Sequence, residues 1–203
     1  MEGFKLFANP WWVNLLILVP VLAYLLWRGK GLQLNAHQLI VAALFAISFG
    51  FVEAAVVIYL RAAVGLLPGY GGTLSDVARL SADLYQRAPS EGELPASLLT
   101  VEVVREAATM LMLLCVVFLV VQARRQRWGM FLWVFALWDL SYYVGLWFTV
   151  RWPSSLTTTD VLFLIPVPWI SQVWFPILVS TLTLAAVFLA RKDRVHMEVV
   201  PKT

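Results

Sequence analysis

Long runs of apolar residues, bordered by charged and turn-forming residues, are the feature that most constrains this chain. A helix needs roughly 20 mainly apolar residues to cross the hydrocarbon core of a bilayer. The runs lack the two-residue alternation of barrel strands, and lipid offers no partners for unpaired backbone groups. The sequence therefore predicts an all-α membrane protein, a bundle of five transmembrane helices. The expected spans are residues 11–27, 39–60, 98–121, 129–150 and 172–190.

Composition agrees with a membrane location and excludes several other classes. Hydrophobic residues make up 61% of the chain and charged residues 13%, whereas soluble domains carry about 25% charged residues. The 203 residues are expected to form a single integral membrane domain. The net charge of +3 does not indicate a nucleic-acid partner, because no basic face is interleaved with aromatic residues. The expected partners are the lipid bilayer and either further copies of the chain or a larger membrane complex.

Two stretches between the spans are predicted to lie on the outer side. Residues 67–97 form the longest polar loop, and residues 73–87 within it have apolar positions at helical spacing, which predicts an amphipathic helix on the membrane surface or over the bundle. Residues 151–171 form an outer segment whose apolar part, 161–170, contains Pro166 and Pro168. That part is too short and too broken to span. We expect a re-entrant or interfacial segment that serves as a rigid lid or packing corner.

The distribution of Lys and Arg predicts the orientation of the chain. The loops 28–38 and 122–128 and the tail 191–203 together carry more Lys and Arg than the opposite side, and such loops stay in the cytoplasm. The N-terminus is then outside and the C-terminus cytoplasmic, in the inner membrane of a prokaryote, since no organelle-targeting segment is in view. The residues on the richer side are Arg28, Lys30, Arg124, Arg125, Arg127, Arg191, Lys192, Arg194 and Lys202.

Small and hydroxylated residues within the spans have mainly structural interpretations. Ala46, Gly50 and Ala54 are four residues apart, which predicts a face where a neighbouring helix approaches closely. Ser180, Thr181 and Thr183 are expected to bond to the backbone of their own helix.

Ionisable residues inside the spans are the informative part of the sequence. Each one costs about 2.5–3.5 kcal/mol near a helix centre on insertion scales. Glu53 lies roughly 12 Å and Asp139 roughly 18 Å below the outer ends of their spans, and Glu106 is expected at a depth similar to that of Glu53. Such residues are expected to face one another rather than lipid, around a polar pocket open to the outside.

The predicted pocket combines acids, one arginine and two tyrosines. Glu102, Arg105 and Glu106 share one broad helix face, and the planar guanidinium of Arg105 suits a bridge between carboxylates of two helices. Four acids around one cation require that at least one acid be protonated. The candidate ligand- or proton-binding residues are Glu53, Glu102, Arg105, Glu106, Asp139, Tyr142 and Tyr143. The rim candidates are Tyr59, Arg61, Arg151 and Asp160.

Cofactor chemistry is not indicated. The two histidines, His37 and His196, lie outside the spans, so we expect neither a His-ligated haem nor a transition-metal site. No nucleophile or phosphate-binding motif is present. Three functions stay open: binding or transport of a proton, cation or small polar ligand; an accessory subunit of a larger complex; and, weakest, an enzyme acting on a lipid-like substrate.

Overall fold

The computed structural model describes residues 3–63 and 96–192, with side chains for 3–59 and 99–192, and is mainly helical. A 3-10 segment, Trp11–Ile17, leads into α1 (Leu18–Trp27). The next helices are α2 (Ala36–Ala63), α3 (Ala96–Val120) and α4 (Arg124–Val150). A hairpin of β1 (Thr159–Phe163) and β2 (Trp169–Gln172) then precedes α5 (Trp174–Ala190).

Three of these helices are long and apolar enough to cross a membrane. They are α2 over Ala36–Tyr59, α3 over Leu99–Val120 and α4 over Arg124–Val150, which confirms the predicted helices at 39–60, 98–121 and 129–150. The two remaining apolar helices, Trp11–Trp27 and Trp174–Ala190, are shorter. The amphipathic helix predicted within the loop 67–97 lies outside the described residues.

The predicted small-residue face of α2 packs closely on α4. Gly50 lies against α4 so closely that a Cβ atom there would be 2.5 Å from the carbonyl oxygen of Trp138. One turn further along, a Cβ on Gly145 of α4 would be 3.0 Å from the Cβ of Ala54. Ala46 and Ala54 are fully buried. Since only small residues allow this approach, the prediction of a packing face is confirmed.

The buried stripe of α3 changes character along the helix. Its members follow one another at helical spacing and are polar in the first half and apolar in the second. In order they are Glu102, Glu106, Thr109, Leu113 and Val117. The apolar half joins a core formed with α2, α4 and α5. The buried polar side chains of α3 thus lie in the half where the helix begins.

The segment 161–170 forms most of a β-hairpin, which the sequence did not predict. Its two prolines exclude a regular helix. Asp160 pairs with Ser171 and Val161 with Ile170, with an irregularity before Phe163 pairs with Trp169. The hairpin runs along α4: the carboxylate of Asp160 meets Tyr143, and Phe163 stacks with Phe135 at 6.3 Å between ring centroids. It therefore extends deep into the bundle.

The N-terminal segment is attached to the free edge of this hairpin. Asn9 and Ile170 exchange two backbone hydrogen bonds of 2.8 and 2.7 Å. The buried side chain of Gln172 accepts from the Lys5 N–H at 2.9 Å and donates to the Gly3 carbonyl at 2.8 Å. Because Pro10 follows Asn9 and precedes the 3-10 segment, these bonds fix where the first helix begins.

Hydrogen bonds also connect the helix ends at the opposite end of the bundle. Leu32 donates from its N–H to Ala190 and accepts from Lys192. The side chain of Gln38, at the start of α2, donates to the carbonyl of Val120 at the end of α3 at 2.9 Å. We call this the cation-rich end, because its described residues include seven Lys and Arg but no acid: Arg28, Lys30, Arg124, Arg125, Arg127, Arg191 and Lys192.

Candidate functional site

Arg105 of α3 links carboxylates from two helices. Its Nε and Nη2 donate to Glu102, one turn earlier on the same helix, at 3.1 and 2.7 Å. Its Nη1 donates to the carboxylate of Glu53 on α2. The side chain of Arg105 is 21% exposed, while both glutamates are nearly buried. The guanidinium therefore neutralises one charge between two acids, in the bidentate geometry that arginine favours.

Thr109 completes the coordination of Glu53. Its hydroxyl donates to the second carboxylate oxygen of Glu53 at 2.6 Å, and its side chain is buried. Thr109 lies four residues after Arg105, so both reach the same carboxylate from adjacent turns of α3. The sequence analysis missed this residue, although its position three after Glu106 places it on the polar stripe.

Glu106 does not join the arginine but holds the hairpin. Its two carboxylate oxygens accept the backbone N–H of Leu164 at 3.0 and 2.8 Å. Leu164 directly follows β1, at the tip of the hairpin. An N–H at this tip has no strand partner, and a buried unpaired N–H is costly. Glu106 thus satisfies the backbone where the hairpin turns.

Asp160 and Tyr143 form a second attachment of the hairpin. The Tyr143 hydroxyl donates to Asp160 at 2.8 Å, and both residues are buried. The other Asp160 oxygen accepts the N–H of Val161 at 2.9 Å. Asp160 was placed at the rim by the sequence, whereas the descent of β1 along α4 brings it into the interior.

Asp139 is bonded to the last helix. Its carboxylate accepts the hydroxyl of Ser180 on α5 at 2.7 Å. The prediction that Ser180 bonds to its own helix is wrong, whereas Thr183 does donate to the carbonyl of Val179 at 2.7 Å. Asp139 also lies close enough to Asp160, on the hairpin, for the two carboxylates to repel each other when both are charged.

Aromatic rings separate these polar contacts and pack around Phe163. Trp138, Phe135 and Trp169 each lie within 6.4 Å of its ring, between centroids. Tyr142 stacks on Trp138 at 6.4 Å and is within electrostatic range of Arg105. The indole N–H of Trp138 is buried without a hydrogen-bond partner in the described part of the chain.

Two other predicted rim residues, Tyr59 and Arg151, are not drawn into this region. Tyr59 is 68% exposed. The guanidinium of Arg151, just past α4, lies over the Trp147 ring at 4.4 Å from its centroid. The side chain of Arg61 lies outside the described residues.

We call these polar groups, which lie in the same part of the bundle, the outer polar network. It has five carboxylates, and among the described side chains only one cation lies within it. Below it the bundle is closed by buried apolar residues such as Leu113, Val117 and Val134. The members of the network are Glu53, Glu102, Arg105, Glu106, Thr109, Asp139, Tyr142, Tyr143, Asp160 and Ser180.

The carboxylates of the outer polar network are each bonded to a hydroxyl, a guanidinium or a backbone N–H. Over residues 3–63 and 96–192, no three His, Cys, Asp or Glu side chains converge as metal ligands would. Comparison with protein-family models, curated proteins and solved structures found no match for this chain.

Proposed function

We propose that the chain crosses the membrane five times, with its N-terminus outside and its C-terminus in the cytoplasm. The two shorter helices support this by length. The 3-10 rise of about 2.0 Å and the α rise of about 1.5 Å give Trp11–Trp27 roughly 29 Å, and Trp174–Ala190 reaches about 25 Å. Both values approach the roughly 30 Å core. The clustering of seven cations at one end supports the orientation.

Cysteine labelling tests this topology. In a Cys115→Ala background, Ser155→Cys and Gly29→Cys place single thiols in exposed loops at opposite ends of the bundle. An impermeant reagent applied to intact cells of a bacterial expression host should label the first variant, and the second only after lysis. The reverse pattern would overturn the orientation. Labelling of both variants from outside would contradict the three spans proposed between the two positions.

The hairpin is proposed as a re-entrant segment from the outer side. Phe163 stacks on Phe135, which lies fifteen residues before the end of α4, or about 22 Å along it. Phe135 is near the middle of α4, and Leu164 is bonded to Glu106 in the outer half of α3, so the hairpin tip would lie near the midplane of the bilayer. Re-entrant backbone is tolerated only where its polar groups have hydrogen-bond partners. Glu106 provides such a partner for the N–H of Leu164.

The proposed function is binding of a proton or a small cation from the outer side, as a binding or transport module of the inner membrane. The observation that carries it is the excess of carboxylates in the outer polar network. Among the described side chains, Arg105 is the cation bonded to these acids, and it lies between Glu53 and Glu102. Buried carboxylates without a cation are unfavourable as anions, so Glu106 and Asp139, which form no ion pair with a described residue, call for protons or a cationic ligand. Buried apolar residues close the network toward the cation-rich end.

Ligand-dependent stability is the direct test. Purified protein in lipid nanodiscs is melted, with tryptophan fluorescence as the readout, across a pH series and against sodium, potassium, calcium and choline salts at constant ionic strength. A ligand that binds only the folded state raises the melting temperature. We expect protons or one of the cations to raise the melting temperature of the native protein. This rise should be lost in Asp139→Asn or Glu102→Gln.

The control is Arg151→Gln, which changes a charge at the outer end but outside the network. It should respond to pH and salts as the native protein does. If the native protein, Asp139→Asn and Glu102→Gln respond identically to every condition, the binding function is wrong.

A second candidate is an accessory subunit of a larger membrane complex. The observation that favours it is the exposure of α3: only 22% of its most apolar 18-residue window is buried, compared with 33% for α2 and for α4. Native mass spectrometry of gently extracted protein tests it. A stoichiometric protein partner would support this function, and a homo-oligomer or monomer that carries a small mass would support ligand binding.

A further inference from the structure

A polar cavity of about 480 Å³ lies at the cation-rich end, far from the outer polar network. Its volume is within the range of about 300–1,000 Å³ that small-molecule sites occupy. It is formed where α2 begins, α3 ends and α4 begins. Five of its lining side chains are uncharged amides: Gln33, Asn35, Gln38, Gln122 and Gln126.

Two of these amides serve the fold and three are free to bind. Asn35 and Gln38 bond reciprocally at the start of α2, with Asn35 accepting the Gln38 N–H at 2.7 Å. Gln38 also donates to Val120. In the described part of the chain, Gln33, Gln122 and Gln126 have no side-chain hydrogen bond to protein. Each offers both a donor and an acceptor toward the cavity.

Arg127 is held beside this cavity in one orientation. Its Nε donates to the carbonyl of Val121, a lining residue, at 2.9 Å. Its guanidinium carbon lies 4.2 Å from the centroid of the Phe118 ring. Both contacts leave the two Nη groups without a hydrogen-bond partner among residues 3–63 and 96–192. A fixed guanidinium with an open edge suits bidentate binding of a phosphate.

The surroundings favour a lipid over a soluble anion. The candidate span Leu99–Val120 ends at the cavity, so the cavity lies where hydrocarbon gives way to headgroups. Phe118 and Leu119 next to it are 52% and 81% exposed, which offers acyl chains an apolar surface. The lining itself is uncharged, but Arg124 and Arg127 directly follow the lining residues Ala123 and Gln126. In the proposed orientation this end is cytoplasmic, where basic pockets between membrane helices are suited to anionic headgroups.

We infer that this cavity binds the headgroup of an anionic phospholipid that carries hydroxyl groups, such as phosphatidylglycerol. Arg127 contacts the phosphate through its Nη groups. The free amides of Gln122 and Gln126 bond to phosphate oxygens and headgroup hydroxyls. This site is independent of the function proposed for the outer polar network.

Native mass spectrometry measures the preference of the cavity for phosphatidylglycerol over phosphatidylcholine. The protein is released from nanodiscs that contain equal amounts of phosphatidylglycerol and phosphatidylcholine with identical acyl chains. We expect the native protein to retain one phosphatidylglycerol in at least about tenfold preference. Both lipids carry a charged phosphate, but the choline group lacks hydroxyls for Gln122 and Gln126 and adds a positive charge that Arg127 repels. Arg127→Gln should lose about tenfold of this preference, and Arg127→Lys, which keeps the charge but not the fork, should be intermediate.

Arg28→Gln is the matched control, since it removes the same charge at the same end but away from the cavity. Equal retention of both lipids by the native protein, or an equal loss in Arg28→Gln and Arg127→Gln, would overturn the site. Displacement of the lipid by millimolar inorganic phosphate would instead show a site for the free ion. If Arg127→Gln does not fold, Gln122→Ala and Gln126→Ala test the headgroup contacts: each should lower the preference for phosphatidylglycerol, and an unchanged preference in both would overturn the site.

Discussion

Both carboxylate oxygens of Glu106 accept the backbone N–H of Leu164, at 3.0 and 2.8 Å. This bond connects the outer half of α3 to the tip of a hairpin that follows it by nearly 60 residues in the chain. Glu106 is therefore a tether of the hairpin as well as a member of the outer polar network. A ligand that protonates or engages Glu106 would act on the position of the hairpin tip.

Removal of this tether should loosen the hairpin. Glu106→Leu leaves the N–H of Leu164 without an acceptor in the interior and should cost about 1–3 kcal/mol of unfolding free energy. Glu106→Gln keeps an amide oxygen as acceptor and should cost less. Hydrogen exchange of the Leu164 amide, measured in detergent, should rise strongly in Glu106→Leu and slightly in Glu106→Gln. Equal exchange in both variants would show that the bond does not fix the tip.

The pair Glu53 and Arg105 should be energetically coupled. Arg105→Met leaves Glu53 buried beside Glu102 without a cation, which should cost about 3–5 kcal/mol. Glu53→Gln together with Arg105→Met should cost clearly less than the sum of the two single changes, because the double variant removes both charges. Unfolding in a denaturing detergent measures the cycle.

A matched cycle of Glu53→Gln with Ser180→Ala combines residues on α2 and α5 that share no contact. Its effects should add within about 0.5 kcal/mol. Additivity in the Glu53 and Arg105 cycle as well would contradict a shared charge site.

Gly50 should tolerate no side chain. An alanine Cβ would lie 2.5 Å from the Trp138 carbonyl and 2.8 Å from the Ser141 Cβ, so α2 and α4 would have to separate. We expect Gly50→Ala to destabilise the bundle by about 1–3 kcal/mol. Gly29→Ala is the control, because nothing lies within 4 Å of a Cβ there. The two variants are compared by their melting temperatures in detergent, and equal values would contradict the close helix approach.

Ser180 should contribute more to stability than Thr183, although both are buried hydroxyl residues on α5. Ser180→Ala removes the donor of Asp139 and should cost about 1–3 kcal/mol. Thr183→Val keeps the shape of the side chain and removes only a bond to its own helix, so its cost should be smaller. Denaturant titration measures the unfolding free energy of both variants. A larger loss in Thr183→Val than in Ser180→Ala would show that the bond from Ser180 to Asp139 does not stabilise the fold.

The helices could be predicted because their signals are local. Apolar length located α2, α3 and α4, and the spacing of Ala46, Gly50 and Ala54 indicated the face that packs on α4. The spacing of Glu102, Arg105 and Glu106 likewise indicated one polar face of α3. Each of these inferences needed only the helical period and the cost of charge in lipid.

The partners of the polar groups could not be predicted, because they lie far apart in the chain. Pro166 and Pro168 excluded a spanning helix, but nothing near them indicated that Glu106 would accept the N–H at the hairpin tip. Ser180 has the same local sequence signal whether it bonds to its own helix or to Asp139. Asp160 follows a polar loop, and only the descent of β1 beside Tyr143 reveals that it is buried.

The order in which the polar contacts occur along the chain has a consequence for synthesis. When α3 emerges from the ribosome, Glu53, the partner of Arg105, has already been made. Glu106 and Asp139, in contrast, precede Leu164 and Ser180, their own partners. Both carboxylates therefore lack these hydrogen-bond donors until the hairpin and α5 have been synthesised and have packed against the bundle. A nascent chain that stops before Ser180 leaves Asp139 without its donor, so the last helix to be translated completes the polar interior.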